Sequence, residues 1–80
     1  MRKFASELRG KTVMTSHGRI LGIIENFVMD TGTGELKHVL VIPDDSVEIK
    51  LFQTDTKGRL VLPFSKMEAV RDVVVMELED

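Results

Sequence analysis

The chain has 80 residues, 42% of them hydrophobic and 30% charged, with a formal net charge of −2. That length predicts one domain over residues 1–80, near the lower limit for a self-supporting core, because a domain this small buries only about 60–65% of its unfolded-chain surface. Cysteine is absent, which excludes a disulfide framework or thiolate metal site; no apolar run approaches the roughly 18 residues of a membrane span, and no global basic field recruits nucleic acid.

The amino end, "MRKFASELRGK", lacks the hydrophobic centre of a signal peptide. With the missing cysteines this predicts a cytoplasmic location. Residues 1–19 hold Arg2, Lys3, Arg9, Lys11 and Arg19 against Glu7 alone, and this local basic excess is expected to be a solvated end. Within it, Phe4 to Arg9 has helical character and stops at Gly10, a residue suited to the position after a helix.

Four turn signals follow: "SHGR" (16–19), "TGTGE" (31–35), "PDDS" (43–46) and "DTKG" (55–58). Glycine, proline and self-capping Asp or Ser mark each one. So many turns in so short a chain predict short antiparallel strands joined by hairpins, the pattern of a small barrel. The strands are expected at 11–15, 20–30, 36–43, 47–53, 59–63 and 72–78.

The second strand is too long to be flat. Ile20 and Ile24 share one parity, Phe27 and Met29 the other, so a β-bulge at Glu25-Asn26 is expected to bend it. Gly22 is expected to let the backbone curve at close quarters. In the fourth strand Val47, Ile49 and Leu51 alternate with Glu48 and Lys50. After the fifth, Pro63 ends the ladder. Ser65 and Glu68 then have capping-box spacing, which predicts a helical turn over Lys66–Val70 that plugs one mouth of the barrel. Phe64, just before the cap, is expected to be buried, with a cost of about 3–5 kcal/mol on truncation to alanine.

The order "LRGKTV", "GRILGIIENFVMDTGTGEL", "HVLVI", "LVLPFSKMEAVRDVVVMEL" resembles the PRC-barrel domain, shared by the photosynthetic reaction-centre H subunit and the ribosome-maturation protein RimM. The match runs from about Leu8 to Leu78. Gly10-Lys11, Gly18, Gly22, Asp30 and Pro63-Phe64 carry it together. Asn26 stands where the family commonly has aspartate, and Met67 where it commonly has valine. The resemblance implies a mainly β fold, a six-stranded antiparallel barrel with one short helical turn before the last strand, and no catalysis. Small stand-alone archaeal members of the CdpB cell-division type are similar. Through them the resemblance implies an adaptor in FtsZ-based division, with a SepF-type protein as partner and recruitment to the division site. The alternative is an RNA- or ribosome-associated RimM-like module.

Site chemistry is sparse. His17 falls in a turn and His38 mid-strand, too few ligands for zinc. Asp44-Asp45 and Glu79-Asp80 read as solvated charge. "TGTG" lacks the lysine and following helix of a phosphate loop. No catalytic, cofactor or metal residues are expected, and the four phenylalanines do not interleave with basic residues as single-strand RNA binding asks.

The positive signal is apolar surplus. Val39-Leu40-Val41-Ile42 and Val73-Val74-Val75-Met76 are apolar on both faces. With Leu40, Ile42, Val74 and Met76 inward, Val39, Val41, Val73 and Val75 face out and form a protein-binding surface. Phe52 is a second candidate contact. The surface is expected to pair two copies, or one copy with a related PRC-barrel protein, and Val41→Glu is expected to abolish association. The competing expectation is that the leading segment, with Phe4 and Leu8, covers the valines within one chain.

Overall fold

A computed structural model of the chain describes residues 5–70 and 72–78. Among these residues there are six strands: β1 (Thr12–Thr15), β2 (Ile20–Met29), β3 (Leu36–Pro43), β4 (Leu60–Pro63), β5 (Met67–Val70) and β6 (Val73–Met76). They form one sheet in the order β4-β3-β2-β1-β6-β5. A single helical turn, α1 (Ala5–Leu8), precedes them. Gly10 follows it at φ +85°, as its sequence position predicts; Phe4 lies outside the described residues.

Tight turns set the register. In the turn after β1, the Gly18 amide donates to the Thr15 carbonyl and the Thr15 amide to the Arg19 carbonyl. The turn before β4 repeats this: the Gly58 amide donates to Asp55, and the Asp55 amide to Arg59. Both glycines are left-handed, at φ +88° and +80°. In each turn the first residue's side-chain oxygen accepts a further amide, Arg19 N at Thr15 Oγ1 and Arg59 N at Asp55 Oδ1. These short-range devices act before any tertiary contact exists, which is why the turns were legible.

Strand β2 carries the expected bulge, with the β2–β3 register shifting between Ile24 and Asn26. The Asn26 side-chain oxygen secures it, accepting the Phe27 amide and Arg9 Nη2. A second irregularity was not foreseen. Val13 faces Gly22 but Met14 faces Ile20, so Leu21 is the extra residue. Two bulges make the inward positions recur every third residue: Leu21, Ile24 and Phe27. Leu21 and Ile24 are buried and Phe27 packs against the core. Ile20 therefore faces outward, not inward with Ile24.

The core lies against one face of the sheet. Val13, Val39, Val41, Leu60, Leu62, Val74 and Met76 join Leu8, Leu21 and Ile24 in it. Thr15 is buried too, its hydroxyl oxygen occupied by the Arg19 amide.

Four expectations are corrected. The sheet is mixed, because β1 and β6 run parallel; the whole β2–β5 excursion supplies the long connection that a parallel pair needs. The sheet is also open, since no ladder joins β4 to β5 at its two ends. Residues 47–53 do not form a strand. They make a 3-10 turn, Ile49–Leu51, and only Thr54 bridges to Leu60. Alternation alone does not make a strand: both edges of β3 are taken by β2 and β4, and along the outer edge of β4 only Gln53 and Thr54 pair.

Finally, the helical turn over 66–70 is absent. Phe64–Lys66 is a 3-10 turn with Pro63 at its N-cap and no side-chain capping bond. Residues 67–70 then pair with β6. A helix of one turn pays nucleation with little propagation, whereas β6 offers a ladder. Met67 and Phe64 both pack against the core only in part, so Phe64→Ala should cost less than a fully buried phenylalanine.

A candidate protein-docking face

The face of the sheet away from the core is also apolar. Its geometry follows from register, because directly opposed residues share a face. Val73, Thr12, Ile23 and Ile42 stand in one row across β6, β1, β2 and β3. Val75, Met14 and Ile20 form the next. Ile20, Ile23 and Ile42 are 44%, 48% and 47% exposed, while Met14, Val73 and Val75 are half-buried. Neither row contains a charged side chain.

One margin of this patch is ionic. Arg59 Nη1 lies 2.7 Å from Glu25 Oε1, and its Nε lies 2.8 Å from Asp55 Oδ2. Glu25 belongs to β2 and Arg59 directly precedes β4, and β3 lies between those strands. The pair therefore crosses β3 on its solvent side, beside Ile42. Leu40, which shares that side with its partner Val61, is only 7% exposed.

The trio is electrostatically matched. Hydrogen bonds from Glu25 and then Asp55 raise the Arg59 guanidinium above its ordinary value. Partial burial works to raise the Asp55 carboxyl, but the Arg59 amide and guanidinium and the Lys57 amide outweigh it and hold the group below the ordinary carboxylate range. Three donors around one carboxylate outweigh a modest desolvation penalty on an accessible group. The sign follows: a depressed carboxyl stabilises the fold above its unfolded value of about 3.9, and this contribution is lost as pH falls through the lower folded value. Asp55→Asn should thus lower the thermal midpoint at pH 7, and its difference from the parent should shrink below about pH 4. Circular dichroism melts across pH measure this; a difference constant with pH would refute the assignment.

The predicted contact residues divide. Val73 and Val75 lie on the face away from the core, opposite in parity to buried Val74 and Met76, as expected. Val39 and Val41 do not: both are fully buried in the core, together with Leu8. The phase of β3 was inverted. Val41 pairs with Ile24 and Leu60, and Val39 with Phe27 and Leu62, so those four partners pull the valines inward. Ile42, assigned to the interior, is on the surface. Leu8 is buried in the same core, on the side of the sheet opposite the outer face. Phe52 packs against the core; the exposed apolar residues of that turn are Ile49 and Leu51. Ile20 and Ile23 were missed: only the bulge at Leu21 turns Ile20 outward, while Ile23 alternates with inward Ile24.

His38 shares the outer side of β3 with Leu40 and Ile42 and is half-buried, the register slip at Lys37 separating it from Leu36, and His17 is exposed in its turn. Among the described residues no three His, Cys, Asp or Glu side chains converge as a metal site. No helix among those residues is long and apolar enough to cross a membrane.

The sequence matches the model of the PRC-barrel domain over residues 1–78. The chain therefore belongs to the PRC-barrel domain family. No curated protein matches it in sequence. Among solved structures, it is similar to a Pseudomonas aeruginosa protein described as a 16S ribosomal RNA processing protein, RimM, at a TM-score of 0.66 and 14% identity. The likeness covers 96% of this chain and 44% of that one, so the chain spans less than half of RimM, and at that identity the likeness concerns the fold.

Proposed function

We propose that this protein is a non-enzymatic binding module that recognises other proteins through the outer face of its sheet. The observation that supports this is the exposure of Ile20, Ile23 and Ile42 in two uncharged rows. Clustered β-branched side chains on a sheet surface favour an apolar macromolecular partner. Nucleic acid asks for phosphate-facing cations and stacking aromatics, and neither occurs in those rows.

A narrower form, carried by family resemblance alone, is an adaptor in archaeal FtsZ/SepF-based division, active in the cytoplasm at the division site. Its partner would be a SepF-type protein or a related PRC-barrel protein.

Capture at about 0.5 M salt tests the module, since apolar contacts survive salt that dissolves phosphate binding. A partner retained by the parent and by Lys57→Glu, but lost with Ile42→Glu, supports it. Salt-sensitive retention on heparin or RNA, with no partner sensitive to Ile42→Glu, overturns it. Direct binding of a purified SepF-type protein tests the narrower form separately.

A further inference from the structure

We infer that the occupant of the outer face is a second copy of this chain, packed face to face about a two-fold axis, with Ile20, Ile23 and Ile42 at the contact. The inference rests on the docking reading above and names its partner.

Charge comes first. The two rows contain no ionised side chain, and at one margin Glu25 and Arg59 are 2.7 Å apart and satisfy one another. A copy of the same face therefore meets it without like-charge contact and without stranding a buried charge, the two terms that penalise self-association of most protein surfaces. A partner selected by complementary charge would have nothing in these rows to read.

Edges come second. Sheet proteins also pair strand to strand, but one end of this sheet is partly covered and the other is short and irregular. Along β4 the Val61 amide donates to the Gln53 carbonyl at 2.9 Å, and Thr54 bridges Leu60. Strand β5 is four residues long and its register slips between Met67 and Ala69. Short, bulged or covered edges resist strand addition. Face-to-face stacking of sheets, by contrast, uses β-branched outward residues such as these.

Area sets the strength. Four strands about 4.8 Å apart, with residues about 3.3 Å apart along each, give the patch a footprint on the order of 300 Å². A standard stable interface buries about 800 Å² per partner. The dimer is therefore a weak, reversible one.

Sedimentation velocity of the full chain from about 5 to 500 μM reads this directly. The expected result is a monomer–dimer equilibrium that about 0.5 M salt does not weaken. Ile42→Glu, at a half-exposed position that tolerates charge in the monomer, should raise Kd at least about tenfold, and Leu51→Glu should leave it unchanged. Because the chain has no cysteine, single substitutions Ile20→Cys, Ile23→Cys and Ile42→Cys give an independent reading. At least one should form a disulfide-linked dimer under mild oxidation, since residues near a two-fold axis approach their own copies, while Lys57→Cys should not. A strict monomer at 500 μM, a dimer indifferent to Ile42→Glu, or no cross-link from any of the three overturns the second copy as occupant. The salt-resistant capture described above is scored separately. A monomer that still captures an Ile42-dependent partner defeats this inference and leaves the docking face standing. A monomer that captures none defeats both.

Discussion

Gly22→Ala is expected to cost about 3–6 kcal/mol, combining left-handed backbone strain with forced overpacking. Gly22 sits at φ +151°, where an L side chain is already disfavoured. A Cβ built there would lie 1.9 Å from the Ile42 carbonyl oxygen and 2.9 Å from Val41 Cγ1. The obstacle is mostly backbone of the neighbouring strand, which cannot swing aside as a flexible side chain would. Gly22 also closes the bulge at Leu21, so the strain falls where β2 pairs with β1 and β3 together. Total stability for 80 residues is about 4–12 kcal/mol. The variant should therefore be largely unfolded or melt tens of degrees lower by circular dichroism, the suitable probe for a chain without Trp or Tyr. Gly58→Ala is the control. That glycine has φ +80° and no atom within 4 Å of the added Cβ, so it should lose only the backbone term of about 1–2 kcal/mol. Equal losses at the two positions would refute the close-approach argument.

Val41→Glu and Ile42→Glu should separate folding from association at adjacent positions. Val41 is fully buried between Ile24 and Leu60. A carboxylate there has no partner, and an unpaired buried charge costs several kcal/mol or forces protonation. That variant should not fold at pH 7. Ile42 is 47% exposed, and its glutamate can remain in water. It should keep the parent's circular dichroism spectrum, lose little in its thermal midpoint, and associate more weakly. Val41→Glu therefore does not test association, although strand parity alone recommended it. Two folded variants, or two unfolded ones, would show that β3 is not phased as described.

The mixed legibility of the site has one origin. Where a segment alternates apolar and polar residues, parity assigns the faces; where both parities are apolar, it is silent. Leu60 and Leu62 alternate with Arg59 and Val61, and both leucines are buried. Val39-Leu40-Val41-Ile42 offers two equally apolar faces. The choice between them belongs to its partners, since the inward residues of β2 and β4 determine which of its own residues turn inward. In β6 the same ambiguity resolved as expected through the register Val13–Val74 and Thr15–Met76.

What the sequence by itself determined are the features closed by local chemistry. These are the glycine turns at 18 and 58, the end of α1 at Gly10, the bulge at Glu25-Asn26 and the family membership that the ordered motifs foreshadowed. What only the tertiary structure decided are the features that depend on a free neighbour. Residues 47–53 alternate like a strand, yet Ile49–Leu51 form a 3-10 turn and only Gln53 and Thr54 reach the outer edge of β4. Residues 67–70 have a helix start signal, yet β6 leaves an edge for them to fill. Ile20 acquires its outward direction only because one extra residue, Leu21, is accommodated against β1. A hydrogen-bonded turn is complete within five residues, whereas a strand and its facing are properties of a pair.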